Sequence, residues 1–312
     1  MHHEIIQFLH LIQLTMKLSN LFLLFLFGLF ASSSVVSAQT KDSVDYVSIL
    51  QKTGPYSSSE QQDYPAFTYQ SPTDPHLTEL RKTYNLDSVA GKGNEVTRAI
   101  RLLQWMHDAV PHADVANLNV LNAGNIIETY KRTKYAQGCY GLSISMNEIF
   151  LAMGFKSRSV ICFSALPVAQ GGHVINSIYI NSLKKWVWMD PQENAYVMDE
   201  KGNLLGIAEV RQRLVDGRPL VLNKTANYHN VPTKKENYLY QFMAQHIYRM
   251  ICPLNSEYNS QTRDQGKVLK YVELLPVDSA KPLIDGFETN QNSKYSVITY
   301  HTNNDVLFWK KP

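Results

Sequence analysis

The sequence predicts an α+β fold on three observations. An apolar helical stripe starts directly after a cysteine, short apolar strands follow that helix, and turn residues punctuate them as antiparallel neighbours. Between Tyr140 and Met153, the residues Leu142, Met146, Ile149, Phe150 and Met153 share one face, and Gly154 supplies a C-terminal stop. Arg158 to Phe163 reads as a first strand through Val160, Ile161 and Cys162. Gly171-Gly172 leads into a second, His173 to Ile180. Asn181-Ser182 is the turn into a third, Lys184 to Asp190, which carries Trp186, Val187 and Trp188 and is closed by Pro191, since proline cannot donate to a ladder.

The elements before this block follow from local signals. Met16-Lys17, the apolar run Leu21 to Phe30 and the small residues up to Ala38 form a secretory signal peptide over residues 1–38. The apolar run is shorter than the roughly 20 residues a bilayer span requires, so no span is expected after cleavage. A Ser-, Gln-, Asp- and Pro-rich stretch, 39–75, reads as an extended N-terminal lead-in. His76 to Tyr84 is helical, and Gly91 and Gly93 break the pattern. Asn94 caps a helix whose apolar face is Val96, Ala99, Ile100, Leu103, Met106 and Val110, ended by Pro111. A polar loop, Asn117 to Asn125, precedes a short helix from Ile126 to Arg132. After Leu222 the pattern is weaker. Leu239 to Met250 fits helix or strand, Lys267 to Leu275 reads as a strand, and Tyr295 to Trp309 reads as strands with a hairpin turn at Asn303-Asn304. The organisation expected is a core domain over 76–222 and a β-rich region over 223–312, in the same sheet or as a small accessory domain.

Composition excludes some classes. Thirty basic against 27 acidic residues give a net charge of +3 with no dense basic stripe, so nucleic acid is not an expected partner. Hydrophobic residues at 44% and 34 aromatic side chains (18 Tyr, 12 Phe, 4 Trp) supply a core and argue against disorder. Three cysteines, Cys139, Cys162 and Cys252, are too few for a disulfide scaffold of this size, and an odd count leaves at least one free thiol. A Cys162–Cys252 bridge is conceivable in an oxidising compartment, but buried free thiols suit the pattern better.

Cys139 follows Gln137-Gly138 and opens the predicted central helix. The first N–H groups of a helix lack intrahelical partners, and the macrodipole adds partial positive charge there. Both favour thiolate over a thiol of ordinary pKa near ~8.5, and the same N–H groups can hold an oxyanion. Gly138 is expected to let the backbone approach a substrate closely. A lone cysteine is more commonly a buried structural thiol. What raises Cys139 above that reading is the hairpin arithmetic: His173 to the turn, and the turn back to Asp190, are similar lengths. Paired strands then bring Asp190 to one ring nitrogen of His173 and leave the other facing Cys139, in the order nucleophile, base, orienter.

These residues carry a resemblance. Gly138-Cys139 with its helix, Gly172-His173-Val174 and Lys185-Trp186-Val187-Trp188-Met189-Asp190-Pro191 resemble the transglutaminase-like superfamily, as does the upstream Trp105-Met106-His107 helix, over roughly Thr78 to Leu222. The resemblance, to the bacterial secreted type, implies a papain-like α+β core. In it, nucleophile Cys139 at a helix N-terminus packs on an antiparallel sheet carrying His173 as base and Asp190 as orienter. Ile175 and Tyr140 stand where many relatives have Trp, and no EF-hand-type calcium loop is present, which weighs against protein cross-linking.

The remaining motifs are weaker. Cys139, Cys162 and His173 lack the short Cys-x-x-Cys pairs of structural zinc sites, and no cofactor or metal is expected. Trp186 and Trp188 face one way and read as core or cleft wall. Asn223-Lys224-Thr225 fits an N-glycosylation pattern. Gln137 and Trp105 are candidates for an oxyanion-hole side chain, whereas His112, His229 and His246 show no partner in the sequence. The expected activity is acyl transfer from a cysteine thiolate, foremost amide or peptide hydrolysis by a secreted or periplasmic enzyme. Its partner would be a peptide or amide substrate of the cell wall or extracellular space. The alternatives are a non-catalytic binding module on the same fold, or an amine or acetyl transferase using the same triad.

Overall fold

The computed structural model describes residues 44–57, 65–166, 171–279, 287–291 and 294–312. The signal-peptide reading falls on residues outside this set. Seven strands form the central sheet: β1 (Lys156–Phe163), β2 (His173–Ile180), β3 (Lys185–Met189), β4 (Arg249–Pro253), β5 (Val268–Leu274), β6 (Phe287–Gln291) and β7 (Ser296–Thr302). Their spatial order is β6-β7-β5-β4-β1-β2-β3, and every neighbouring pair is antiparallel except β5 with β7. The strands after residue 248 thus continue the sheet begun by β1 to β3.

Both faces of the sheet are covered, and alternation along the strands separates them. Ile178, Ile180, Val187 and Met189 pack with helices α4 (Glu95–Ala109), α5 (Ala123–Thr133) and α6 (Cys139–Ala152). Val160, Cys162, Ile175 and Trp188 pack on the opposite face. That face is covered by α1 (Tyr46–Lys52), α7 (Ile207–Val215) and a π-helix, Glu236–Met243. Two further helices, α2 (Pro75–Thr83) and α3 (Leu86–Ala90), lie between α1 and α4 in the chain.

Helix α6 departs from the amphipathic expectation: Gly141 to Ala152 is buried on every side. Its polar residues survive because each finds a partner, as buried polar groups must. Ser143 Oγ donates to Val174 O at 2.7 Å and Asn147 Nδ2 to Ser256 Oγ at 2.9 Å. The Glu148 carboxyl oxygens accept the N–H groups of Ala123 at 2.7 Å and Asn259 at 2.8 Å.

Other expectations need correcting. The lead-in over 39–75, read as extended, contains α1, whose Leu50 enters the core, and Thr68–Tyr69, which pairs in parallel with Asn255–Ser256. Leu239 to Met250 is both helix and strand: the π-helix, one turn at Ala244–His246, then β4. Asn303-Asn304 is not a hairpin turn. Asn304 caps a short helix, Asp305–Phe308, by accepting the Leu307 N–H at 3.0 Å. Asn223 is buried and donates to Asn194 O and Thr225 Oγ1, both at 2.9 Å, so its amide is committed within the fold rather than presented for glycosylation. Trp186 and Trp188 are core residues, Trp186 lying over the buried Arg158 guanidinium at 4.2 Å.

Candidate active site

The three residues singled out in the sequence meet at one end of the sheet. Cys139 is the first residue of α6, half-buried, and no side chain caps that helix, so its leading N–H groups face the same space as the thiol. Asp190 follows β3 and bridges to Ala195 through a tight turn that starts at Pro191. The turn sends the N–H groups of Gln192 (2.9 Å) and Glu193 (3.4 Å) back to Asp190 Oδ1. His107 of α4 braces it, with Nδ1 at 3.0 Å from Pro191 O. In the β2–β3 register Asn176 opposes Met189, so His173 lies beyond the last paired position, on the same sheet face as Asp190. There His173 Nε2 is 2.8 Å from Asp190 Oδ2, which leaves Nδ1 uncommitted to the carboxylate. Cys139 and His173 border the same cleft, and His173 and the Val174 N–H both favour the thiolate form of Cys139.

Gly172 makes this entry possible. A Cβ there would lie 2.6 Å from Cys162 O and 2.9 Å from the Phe163 ring, and the preceding Gly171 takes φ +75°. Gly138 is not required by sterics in the same way: its φ is −71°, and a Cβ would make ordinary contact with Ala113 O at 3.7 Å.

The electrostatics follow from burial opposed by charge. Burial pulls the His173 imidazolium down, but the Asp190 carboxylate and then the Cys139 sulfur outweigh it and push it up to about 10. Burial raises the Cys139 thiol, yet the hydrogen bond and charge of His173, with the Val174 N–H, hold it below its ordinary value. Asp190 is likewise held low against burial by His173, Tyr238 and the Gln192 N–H. Both shifts act in the direction that favours thiolate beside imidazolium. Cys162 and Cys252 are the contrast: both are free and fully buried, and burial pushes Cys162 well up and Cys252 to about 12, so neither is nucleophilic.

The π-helix supplies what the sequence reading missed. Tyr238 Oη donates to Asp190 Oδ2 at 2.6 Å and accepts from Trp188 Nε1 at 3.2 Å. Phe242 packs edge-on against His173 at 5.0 Å, and His246 against Phe242 at 4.6 Å. Tyr238, Phe242 and His246 recur every four residues, the one signal in the sequence that could have placed them on a common face. A cleft of about 860 Å³ opens over the thiol, and its walls include Cys139, His173, Glu193, Val231 and Phe242. His112, His229 and His246 also line it. The two oxyanion-hole candidates do not: Trp105 packs beside Tyr84, and Gln137 is buried with Nε2 turned to Ala136 O at 2.8 Å. A second cavity, about 850 Å³, lies away from Cys139, and its cations are largely paired, Arg213 with Asp199 and Glu200 and Lys185 with Glu209. Among the described residues, no helix is long and apolar enough to cross a membrane.

No family model and no curated protein matches this chain. Solved structures similar over part of it include two. One, a candidate cysteine protease from Cytophaga hutchinsonii, is 13% identical, with a TM-score of 0.31, over 51% of this chain and 55% of that one. The other, LapG of Legionella pneumophila in an EGTA-treated form, is 12% identical, with a TM-score of 0.30, over 57% of this chain and 97% of that one. The chain thus spans about half the length of the Cytophaga protein. At these scores the likeness carries no weight for function, which rests on the site itself.

Proposed function

We propose that this protein is a thiol-dependent acyl-transfer enzyme, foremost an amide or peptide hydrolase, in which Cys139 is the nucleophile, His173 the base and Asp190 the orienting carboxylate. The observation that supports it most is the His173 Nε2–Asp190 Oδ2 contact of 2.8 Å, buried, with the opposite ring edge turned to a thiol at an uncapped helix start. In this reading the Cys139 thiolate adds to the carbonyl carbon of a substrate amide. The imidazolium of His173 gives its Nδ1 proton to the leaving amine, and the neutral ring then takes a proton from water as water cleaves the thioester. Asp190, held by four donors, keeps the ring oriented and its charge balanced throughout. Water is taken as the acceptor, which gives hydrolysis. The export signal read at residues 1–38 points to a cell-wall or extracellular peptide.

The test is labelling followed by turnover. Iodoacetamide should alkylate Cys139 faster near neutral pH than it does a free cysteine peptide, and His173→Ala should abolish that advantage. A peptide and amide library should then give hydrolysis that Cys139→Ala lacks. Labelling no faster than the free peptide would mean a binding module without thiol chemistry.

A further inference from the structure

The proposed mechanism leaves three cleft-lining imidazoles unused, His112, His229 and His246, and His112 is the one that pairs with the segment leading into Cys139. His112 follows the proline that ends α4, and its backbone pairs with Gln137, two residues before Cys139, with Ala113 N–H donating to Gln137 O at 2.9 Å. The residue is only 9% exposed, and its ring borders the cleft that holds Cys139 and His173. Nδ1 lies 2.9 Å from the Tyr228 hydroxyl. Nε2 has Asp114 Oδ1 at 3.7 Å, beyond hydrogen-bond reach, and no hydrogen-bond partner among the described residues. Tyr228 in turn is held by a tight hairpin, Asn227–Tyr228 paired with Val231–Pro232, whose two turn residues, His229 and Asn230, have φ of 52° and 63°.

We propose that His112 is a further catalytic residue, the side-chain donor that holds the carbonyl oxygen as it becomes an oxyanion, and that Tyr228 is the positioning residue that fixes its tautomer. This rests on the acyl-transfer reading above. The phenol O–H donates to Nδ1, and the nearby Asp114 carboxylate favours the proton on Nε2, so Nε2–H points into the cleft. Burial, opposed only in part by Asp114, lowers the His112 pKa, so the ring is a neutral donor that neither consumes nor competes for the His173 proton. The uncapped Cys139 N–H supplies the second donor, giving the pair that such a site needs. When the thiolate adds to a carbonyl carbon, the π pair moves onto oxygen and is held by these two N–H groups. Collapse restores the C=O bond, expels the leaving group with its electron pair and leaves a thioester on Cys139.

Two reagents applied to the full chain separate this role from that of the triad. Iodoacetamide alkylates by direct displacement at carbon and forms no oxyanion. p-Nitrophenyl acetate acylates through a tetrahedral oxyanion and releases p-nitrophenolate. His112→Ala should slow acylation of Cys139 by roughly 100-fold and leave alkylation within about two-fold, the usual effect of losing one oxyanion donor. His112→Gln, which retains an N–H donor, should recover part of the loss. Tyr228→Phe, which leaves the ring in place, should slow acylation alone and shift the His112 ring ¹⁵N resonances toward a mixture of tautomers. Acylation unchanged in both His112→Ala and Tyr228→Phe, or both reagents slowed equally, overturns the assignment. Wild-type Cys139 reacting with iodoacetamide no faster than a free cysteine peptide overturns the acyl-transfer reading and this proposal with it.

Discussion

Replacing Asp190 by Asn tests whether the charge of that residue, and not its shape alone, sets the state of the thiol. The fraction of Cys139 present as thiolate beside imidazolium, relative to thiol beside imidazole, depends on how far the His173 pKa lies above that of Cys139. His173 is pushed up to about 10 and Cys139 is held below its ordinary value, so the proposed mechanism has the ion pair as the resting form. An opposite charge at hydrogen-bond distance accounts for about 1–3 pKa units, so removing it should shift that ratio toward the neutral pair by roughly 10- to 1000-fold. In Asp190→Asn the new amide oxygen can still accept the Gln192 N–H, but the amide then turns an N–H toward His173 Nε2 and favours the wrong tautomer. The assay is the rate of Cys139 alkylation by iodoacetamide from pH 5 to 10, read by mass spectrometry, with circular dichroism as a control for folding. Native protein should react from below the ordinary thiol range, with the ion pair dissolving only as His173 deprotonates near pH 10. Asp190→Asn should lose at least about tenfold near pH 7 and rise only where an isolated thiol ionises. Superimposable profiles for the two proteins would refute the electrostatic account.

Further outcomes follow from the same contacts. Tyr238→Phe removes the 2.6 Å hydrogen bond to Asp190 and leaves the ring packing. A hydrogen bond to a charged group is worth about 1.5–3 kcal/mol, and a loss of that size should show in urea unfolding together with a shifted alkylation profile. Burial pushes Glu148 up to about 8 from 4.5, so the folded state binds its proton more tightly; stability from this group is full below pH 4.5 and falls as pH rises towards 8. Glu148→Gln should therefore flatten the dependence of Tm on pH between 5 and 8. Gly172→Ala forces a methyl to 2.6 Å from Cys162 O, and a loss of about 1–3 kcal/mol with slowed alkylation of Cys139 is expected by chemical denaturation and labelling.

Much of the local structure was legible in the sequence because it is encoded by near neighbours. The Asn94 cap, the start of α6 at Cys139, strand β2 over His173 to Ile180 and the turn that follows it all rest on propensity, capping and alternation within a few residues. The meeting of His173 with Asp190 was also readable, because a hairpin converts sequence distance into register. Other features had no local signature. The amphipathic stripe of α6 understated its burial because Glu148, Asn147 and Ser143 find partners on Ala123, Ser256 and Val174, far along the chain. His112 and Tyr238 reach the site through a loop and a π-helix that are 27 and 99 residues from Cys139 in sequence.

Short-range encoding thus accounts for the helix and strands that carry Cys139, His173 and Asp190, since periodicity and turn chemistry act over a few residues. Their surroundings were settled by the folded chain: Tyr238 on the carboxylate, Phe242 against the imidazole, His112 on the wall of the same cleft, and the C-terminal strands in the same sheet. Those contacts arise when separate apolar faces are buried against one another. Which polar group then lands beside which is set by three-dimensional packing, a property no stretch of sequence expresses on its own.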